Sequence, residues 1–119
     1  MNSGANEGCV FCRIVRGELG TEFVAETGNA VAFRDLAPQA PVHVLIVPRR
    51  HIAGLRHLEE GDIALGGELL RLAATVARQE GLWAEGYRLV ANDGRGAGQT
   101  VFHLHFHLLG GRSLTTAFG

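Results

Sequence analysis

The chain has 119 residues, 46% hydrophobic and 19% charged, a composition that suits one domain built around one core. Eleven basic against twelve acidic residues give a net charge of −1, so there is no electrostatic case for nucleic acid or anionic membranes. No apolar run reaches the ~20 residues that a membrane helix needs. Lysine is absent, which excludes a Walker-type phosphate lysine and Schiff-base chemistry.

In chain order, residues 1–8 read as a disordered leader without the pattern of a secretory signal, and residues 9–119 as a single domain. Cys9 and Cys12 form a C-x-x-C pair. Two cysteines are too few for a disulfide framework, so the expected setting is a reducing cytoplasm. The pair is then two zinc ligands, a redox couple or two buried small side chains. Residues 9–16 suit a short helix ended by Gly17. Glu22 to Glu26 and Ala30 to Asp35 read as strands around the turn Thr27-Gly28-Asn29, and Pro38 and Pro41 stiffen the next connection. Val42 to Val47 is almost wholly apolar and β-branched, as a central strand is, and Pro48 stops it.

One long helix is expected from an N-cap at Asp62 to Gly81. Leu65, Leu69, Leu72 and Val76 mark its buried face, and Glu68, Arg71, Thr75 and Arg78 its wet face. The adjacent Gly66-Gly67 implies either a loose first turn or very close packing. Tyr87 to Ala91 is a fourth strand and Phe102 to Leu109 a fifth. The fold class is therefore α+β: a five-stranded antiparallel sheet with one long helix and a short N-terminal helix.

The fifth strand carries the chemistry. Side chains alternate faces along a strand, so His103, His105 and His107 share one face while Leu104, Phe106 and Leu108 point into a core. Such a row can bind a metal, because His-x-His places two ring nitrogens on one ion. It can also do nucleophilic catalysis, since a neutral imidazole attacks phosphorus well and leaves well. The loop Asn92 to Thr100 runs into this strand. Its glycines allow backbone N–H groups to converge on phosphate oxygens, and Gln99 and Thr100 add side-chain donors.

The segment Asn92 to Gly111 closely resembles the histidine triad superfamily, whose signature is His-φ-His-φ-His-φ-φ with φ apolar. Within it the resemblance is to the Hint branch of nucleotide-binding phosphoramidases, of bacterial type. Phe33 to His43 and Val47 to Ile52 are similar to that branch as well. The resemblance implies a histidine-triad fold and a purine nucleoside phosphoramidate hydrolase. In it His105 attacks the α-phosphorus and holds a covalent nucleotidyl intermediate, which water resolves to a nucleoside monophosphate. His107 contacts the phosphate and helps protonate the leaving amine, and His43 supports that relay. Asn92, Gly98, Gln99 and Thr100 match the residues that hold phosphate, and Asp35 would accept from the ribose hydroxyls. Leu36, Phe11, Ile14, Phe33 and Leu45 would line the base pocket, although a plain core role suits the last four equally.

The resemblance also implies a structural zinc ion on Cys9, Cys12, His51 and His103, catalysis without a required cofactor, and a twofold homodimer. Trp83 is available for a subunit contact, or is buried within one subunit. The tail from Ser113 lacks the tryptophan that some Hint proteins carry, which bears on the choice of leaving amine. Three other functions stay open. One is hydrolysis of dinucleoside polyphosphates or nucleotidyl transfer; another is nucleotide binding with incidental hydrolysis. The third is a metal hydrolase that uses the triad as ligands.

Overall fold

The computed structural model describes residues 8–118, so the expected leader, apart from Gly8, lies outside the described residues. A short helix α1 (Val10–Val15) precedes strands β1 (Ala25–Glu26), β2 (Ala30–Arg34) and β3 (Val42–Pro48). The long helix α2 (Ile63–Gln79) follows, then β4 (Tyr87–Ala91) and β5 (Phe106–Gly110). The strands form one five-stranded sheet in the order β1-β2-β3-β5-β4, each pair antiparallel.

Strand alternation divides the interior in two. Ala30, Ala32, Val44, Ile46, Leu104 and Leu108 face α2 and meet Leu69, Leu72, Ala73 and Val76. Val31, Phe33, Leu45 and Val47 face the other way and meet Cys9, Phe11, Cys12 and Ile14 of the α1 region. The histidines of the fifth segment fall on this second side, where the six-residue helix α1 packs on the sheet.

Two strands are shorter than the sequence suggests. The first pairs only at Ala25–Glu26, and the chain bends at Val24, whose N–H still donates to the Ala32 carbonyl at 2.8 Å. β5 begins at Phe106 and not at Phe102. Its register puts Ile46 opposite Phe106, so the ladder would next have to run into Pro48, which has no N–H to give. Past that point Leu104 N–H donates to the Ile52 carbonyl instead, at 2.6 Å. The side chains of residues 103–108 still alternate: Leu104, Phe106 and Leu108 face α2, although only the last two lie in the ladder.

Helix α2 ends as expected. Gly81 has φ 79°, and Leu82 N–H reaches the Ala77 carbonyl while Gly81 N–H reaches Arg78, a Schellman closure that needs the left-handed residue. Its start differs. The Asp62 carboxylate makes no cap bond to α2; it turns back to the Glu59 N–H at 3.0 Å and to Arg50 at 2.6 Å. Glu68 leaves the wet face and binds the β1–β2 turn, accepting from Thr27 Oγ1, Asn29 N–H and Asn29 Nδ2. Among the described residues nothing outside the helix and the adjacent chain packs within 4 Å of where a Cβ would stand at Gly66 or Gly67, so close packing is not their role. Trp83 is 60% exposed beneath the Arg78 guanidinium, not buried within the subunit. No helix among the described residues is long and apolar enough to cross a membrane.

Candidate active site and metal centre

Hydrogen-bond partners fix the proton positions in the histidine cluster. His105 Nδ1 lies 2.8 Å from the His103 carbonyl oxygen. A carbonyl only accepts, so Nδ1 carries the proton and Nε2 keeps a lone pair. Gln39 N–H donates to His43 Nδ1 at 3.0 Å, which leaves the His43 proton on Nε2. That nitrogen stands 2.9 Å from His107 Nδ1 and donates to it, so His107 in turn keeps its proton on Nε2. The His105 and His107 rings are 5.0 Å apart. A nucleophilic nitrogen and a proton donor thus share one small site, at the end of a chain of hydrogen bonds that begins on the backbone of Gln39.

Burial keeps these rings neutral. It lowers the pKa of His105 against the opposing pull of the His103 carbonyl and Asp35, and lowers that of His43 against Asp35. His107 is brought down to about 4, first by burial and then by the charges of His105 and His43. Neutral imidazole is the form that has a lone pair to attack with.

Asp35 stands beside this relay, with Oδ2 3.5 Å from His43 Nε2 and Oδ1 accepting the Ala37 N–H at 2.8 Å. Phe11, Ile14, Phe33 and Leu45 come together in one buried cluster, with exposures between 3% and 8%. Leu36 stands apart from them, fully in solvent.

The loop from β4 to the histidines is braced from within. Gln99 is buried, and both its amide donors are taken, by the Ala53 carbonyl at 2.8 Å and the Val101 carbonyl at 3.1 Å. Its Oε1 accepts the Gly94 N–H at 2.7 Å. The residue therefore shapes the loop and does not present a free donor. Asn92 donates to the Ala97 carbonyl, Gly98 turns the chain with φ 90°, and Thr100 is exposed on the way into the histidine segment.

A second cluster fits a metal. Cys9, Cys12, His51 and His103 bring one donor atom each within 4.8 Å of one another. His103 Nδ1 is 3.3 Å from Cys9 Sγ, 3.5 Å from Cys12 Sγ and 3.3 Å from His51 Nδ1; Cys12 Sγ is 3.3 Å from His51 Nδ1. Tetrahedral zinc, with bonds of about 2.3 Å to sulfur and about 2.0 Å to nitrogen, puts such donors about 3.3–3.6 Å apart. The tautomer is also right. His103 Nε2 donates to the Pro48 carbonyl at 2.8 Å, which frees Nδ1 for a metal and supplies the usual outer partner of a ligating histidine. Asp35, His43 and His107 also cluster, but there the logic reverses. A metal on His43 Nε2 would move the ring proton to Nδ1, against the Gln39 N–H. That trio is arranged to pass a proton.

The model of the HIT domain matches residues 16–114. The chain belongs to the HIT domain family. It is 41% identical to a purine nucleoside phosphoramidase of Escherichia coli, over 91% of each chain. It is 46% identical to a 14 kDa zinc-binding protein of Zea mays, covering 88% of this chain and 83% of that one. Among solved structures, a HIT family hydrolase from Clostridium thermocellum superposes with a TM-score of 0.92 at 42% identity, over 95% of this chain and 98% of the other. The α+β architecture read from the sequence is that of these relatives.

Within this HIT domain one part of the site has no signature in the sequence. Arg56, in the turn Leu55–His57 after β3, holds Asp93 Oδ2 at 2.9 Å. A Cβ at Gly54 would stand 2.5 Å from Asp93 Oδ1. Together with the Gln99–Ala53 bond, these contacts clamp the loop to the chain leaving β3. The partners lie 37 residues apart with no spacing rule to join them.

Proposed function

We propose that this HIT domain hydrolyses purine nucleoside phosphoramidates through a nucleotidyl-histidine intermediate. The observation that carries the reading is the proton order of the three rings: a lone pair on His105 Nε2 beside an N–H on His107. In the first step the His105 Nε2–P bond forms and the P–N bond breaks, and the departing nitrogen takes from His107 Nε2 the one extra proton that the relay, neutral in the free protein, binds beside the anionic phosphate. His105 Nδ1 keeps its proton and goes on donating it to the His103 carbonyl, which suits the cationic imidazole of the intermediate. In the second step water attacks phosphorus, the Nε2–P bond breaks, and the water's proton replenishes the His43–His107 relay. A nucleoside monophosphate leaves. The three histidines carry every bond change.

The loop Asn92 to Thr100 would cradle the phosphate, with Asn92, Gly98 and Thr100 lining it and Gln99 holding its shape. Asp35 would accept from the ribose, Leu36 would cover the base from the solvent side, and Phe11, Ile14, Phe33 and Leu45 would wall the pocket. Cys9, Cys12, His51 and His103 would hold zinc, which when bound serves as a redox-inert tetrahedral staple between α1 and the sheet. The named activity of the E. coli relative supports the substrate class, and the name of the maize relative supports the metal.

The test offers the protein a panel of nucleoside phosphoramidates and dinucleoside polyphosphates, measures released monophosphate, and maps the acid-quenched adduct by mass spectrometry. The expected adduct is on His105, with adenosine phosphoramidate the faster substrate. An adduct on His103 or His107, or preferential cleavage of the polyphosphates, overturns the assignment. Metal analysis of protein purified without chelator should give about one zinc per chain; a value near zero even after zinc supplementation removes the zinc site.

A further inference from the structure

The Cys2His2 donor set and the nucleophile are neighbours, and two contacts join them. The first is the hydrogen bond from His105 Nδ1 to the backbone carbonyl of His103, the residue whose ring completes the donor set. The second is Phe11. It lies between Cys9 and Cys12 on α1, and its ring stands edge-on to His105 at 5.1 Å and 89° and to His103 at 5.9 Å and 71°. Phe33 backs it at 5.6 Å.

These contacts matter because the His105 backbone is itself unpaired, set between the Leu104–Ile52 bond and the first paired residue of β5, so no sheet ladder fixes it. The element that carries Phe11 is six residues long, too short to persist without tertiary support. Its N-cap is Cys9, whose sulfur accepts the Cys12 N–H at 3.3 Å. Both cysteines are donors of the cluster. The same four side chains therefore fix the position of α1 and of residue 103, the two supports of the His105 ring.

We propose that the Cys2His2 site positions the nucleophile, and that Phe11 is a positioning residue that conveys its hold to the His105 ring. The proposal rests on the reading of His105 as nucleophile, so its test includes a readout independent of turnover. Phe11→Leu retains all four donors and removes the ring; Phe11→Tyr retains the ring. Both are made in the full-length, zinc-loaded chain. Each is assayed for zinc content, for the side-chain Nδ1–H signal of His105 by nitrogen-15 NMR, and for kcat and KM on adenosine phosphoramidate.

The expected result for Phe11→Leu is full zinc content, a His105 Nδ1–H signal broadened by exchange with water, and kcat lowered about tenfold, beyond any rise in KM from the altered pocket wall. Phe11→Tyr recovers most of both losses. Wild-type protein stripped of zinc, where far-UV circular dichroism reports a retained fold, broadens the same signal; where it unfolds, the two Phe11 variants decide. An unchanged His105 signal in Phe11→Leu overturns the proposal. So does an effect confined to KM, which would make Phe11 only a wall of the base pocket. Absence of turnover in every form, with the NMR differences as expected, would instead count against the proposed reaction and leave the positioning intact.

Discussion

At the scale of single residues, the site is a problem of where protons sit. The three rings are chemically identical, and their neighbours make them different: a carbonyl for His105, a backbone N–H for His43, and His43 itself for His107. His105→Ala removes the attacking nitrogen and should lower turnover by roughly 10³-fold or more while nucleotide binding persists. Equilibrium binding of AMP beside a single-turnover assay checks this; a variant that still forms an adduct sinks the nucleophile assignment. The relay also sets a pH dependence. Burial lowers the pKa of His105 and of His43, and His107 falls to about 4, so the rings of the free protein are neutral at the ordinary histidine value of about 6.5. The rate should therefore hold steady from pH 8 to about pH 6 and decline only in more acid solution. A midpoint at or above 6.5 in a pH–rate profile would mean that the rings are more solvated than the fold makes them.

At the scale of elements, the proposed phosphate cradle depends on how the chain leaving β3 meets the loop leaving β4. Gly54 is extended, with φ −173°, so its need for glycine is steric: a Cβ would strike Asp93 Oδ1, whose carboxylate Arg56 holds in place. Gly54→Ala should cost about 1–3 kcal/mol by overpacking and raise KM more than it lowers kcat. Arg56→Ala frees Asp93 to move, so the double variant should lose less than the sum of the singles. Thermal denaturation and steady-state kinetics on the four proteins complete the cycle, and strict additivity would dissolve the clamp. None of this was legible in the sequence, because an Arg–Asp pair 37 residues apart leaves no periodic trace. What leaves a trace is local and repetitive. Alternation in residues 103–108 told which side each histidine would take, and the apolar run Val42–Val47 carried His43 to the centre of the sheet. Cys9-x-x-Cys12 announced a paired site at the N-terminal helix. Where a strand ends is decided by its partner: the sequence of the fifth segment is uniform, yet pairing stops because Pro48 lies on the other strand. Asp62 and Glu68 had the composition of a cap and a wet face, and long-range partners, Arg50 and the β1–β2 turn, claimed their carboxylates.

At the scale of the whole molecule, burying neutral histidines links stability to pH, and the sign follows from the direction of the shifts. In the unfolded chain His43 and His107 take up protons as pH falls through about 6.5. In the folded protein burial delays this, for His107 to about 4. Between those values the unfolded state binds more protons, so folding stability is full above pH 6.5 and is lost progressively toward pH 4. A second loss lies further down. The Asp62 carboxylate is held below its usual range by Arg50 and the Glu59 N–H, and that of Glu68 by Thr27 and Asn29. Their contribution is present above the unfolded carboxylate values and disappears as pH falls through the lowered ones. The two windows can be separated with one variant. His107→Gln removes one proton-linked group from the upper window and leaves the acidic one untouched. Urea denaturation at pH 7 and pH 5 should therefore give a smaller stability difference for His107→Gln than for the wild type, by up to about 1.4 kcal/mol per pH unit for a fully linked proton. Protons that compete with a metal at the Cys2His2 site act alike on both proteins and cancel in the comparison. If the two proteins lose the same stability between pH 7 and pH 5, His107 titrates alike in the folded and unfolded chain, and the neutral relay on which the proposed chemistry depends is not maintained by the fold.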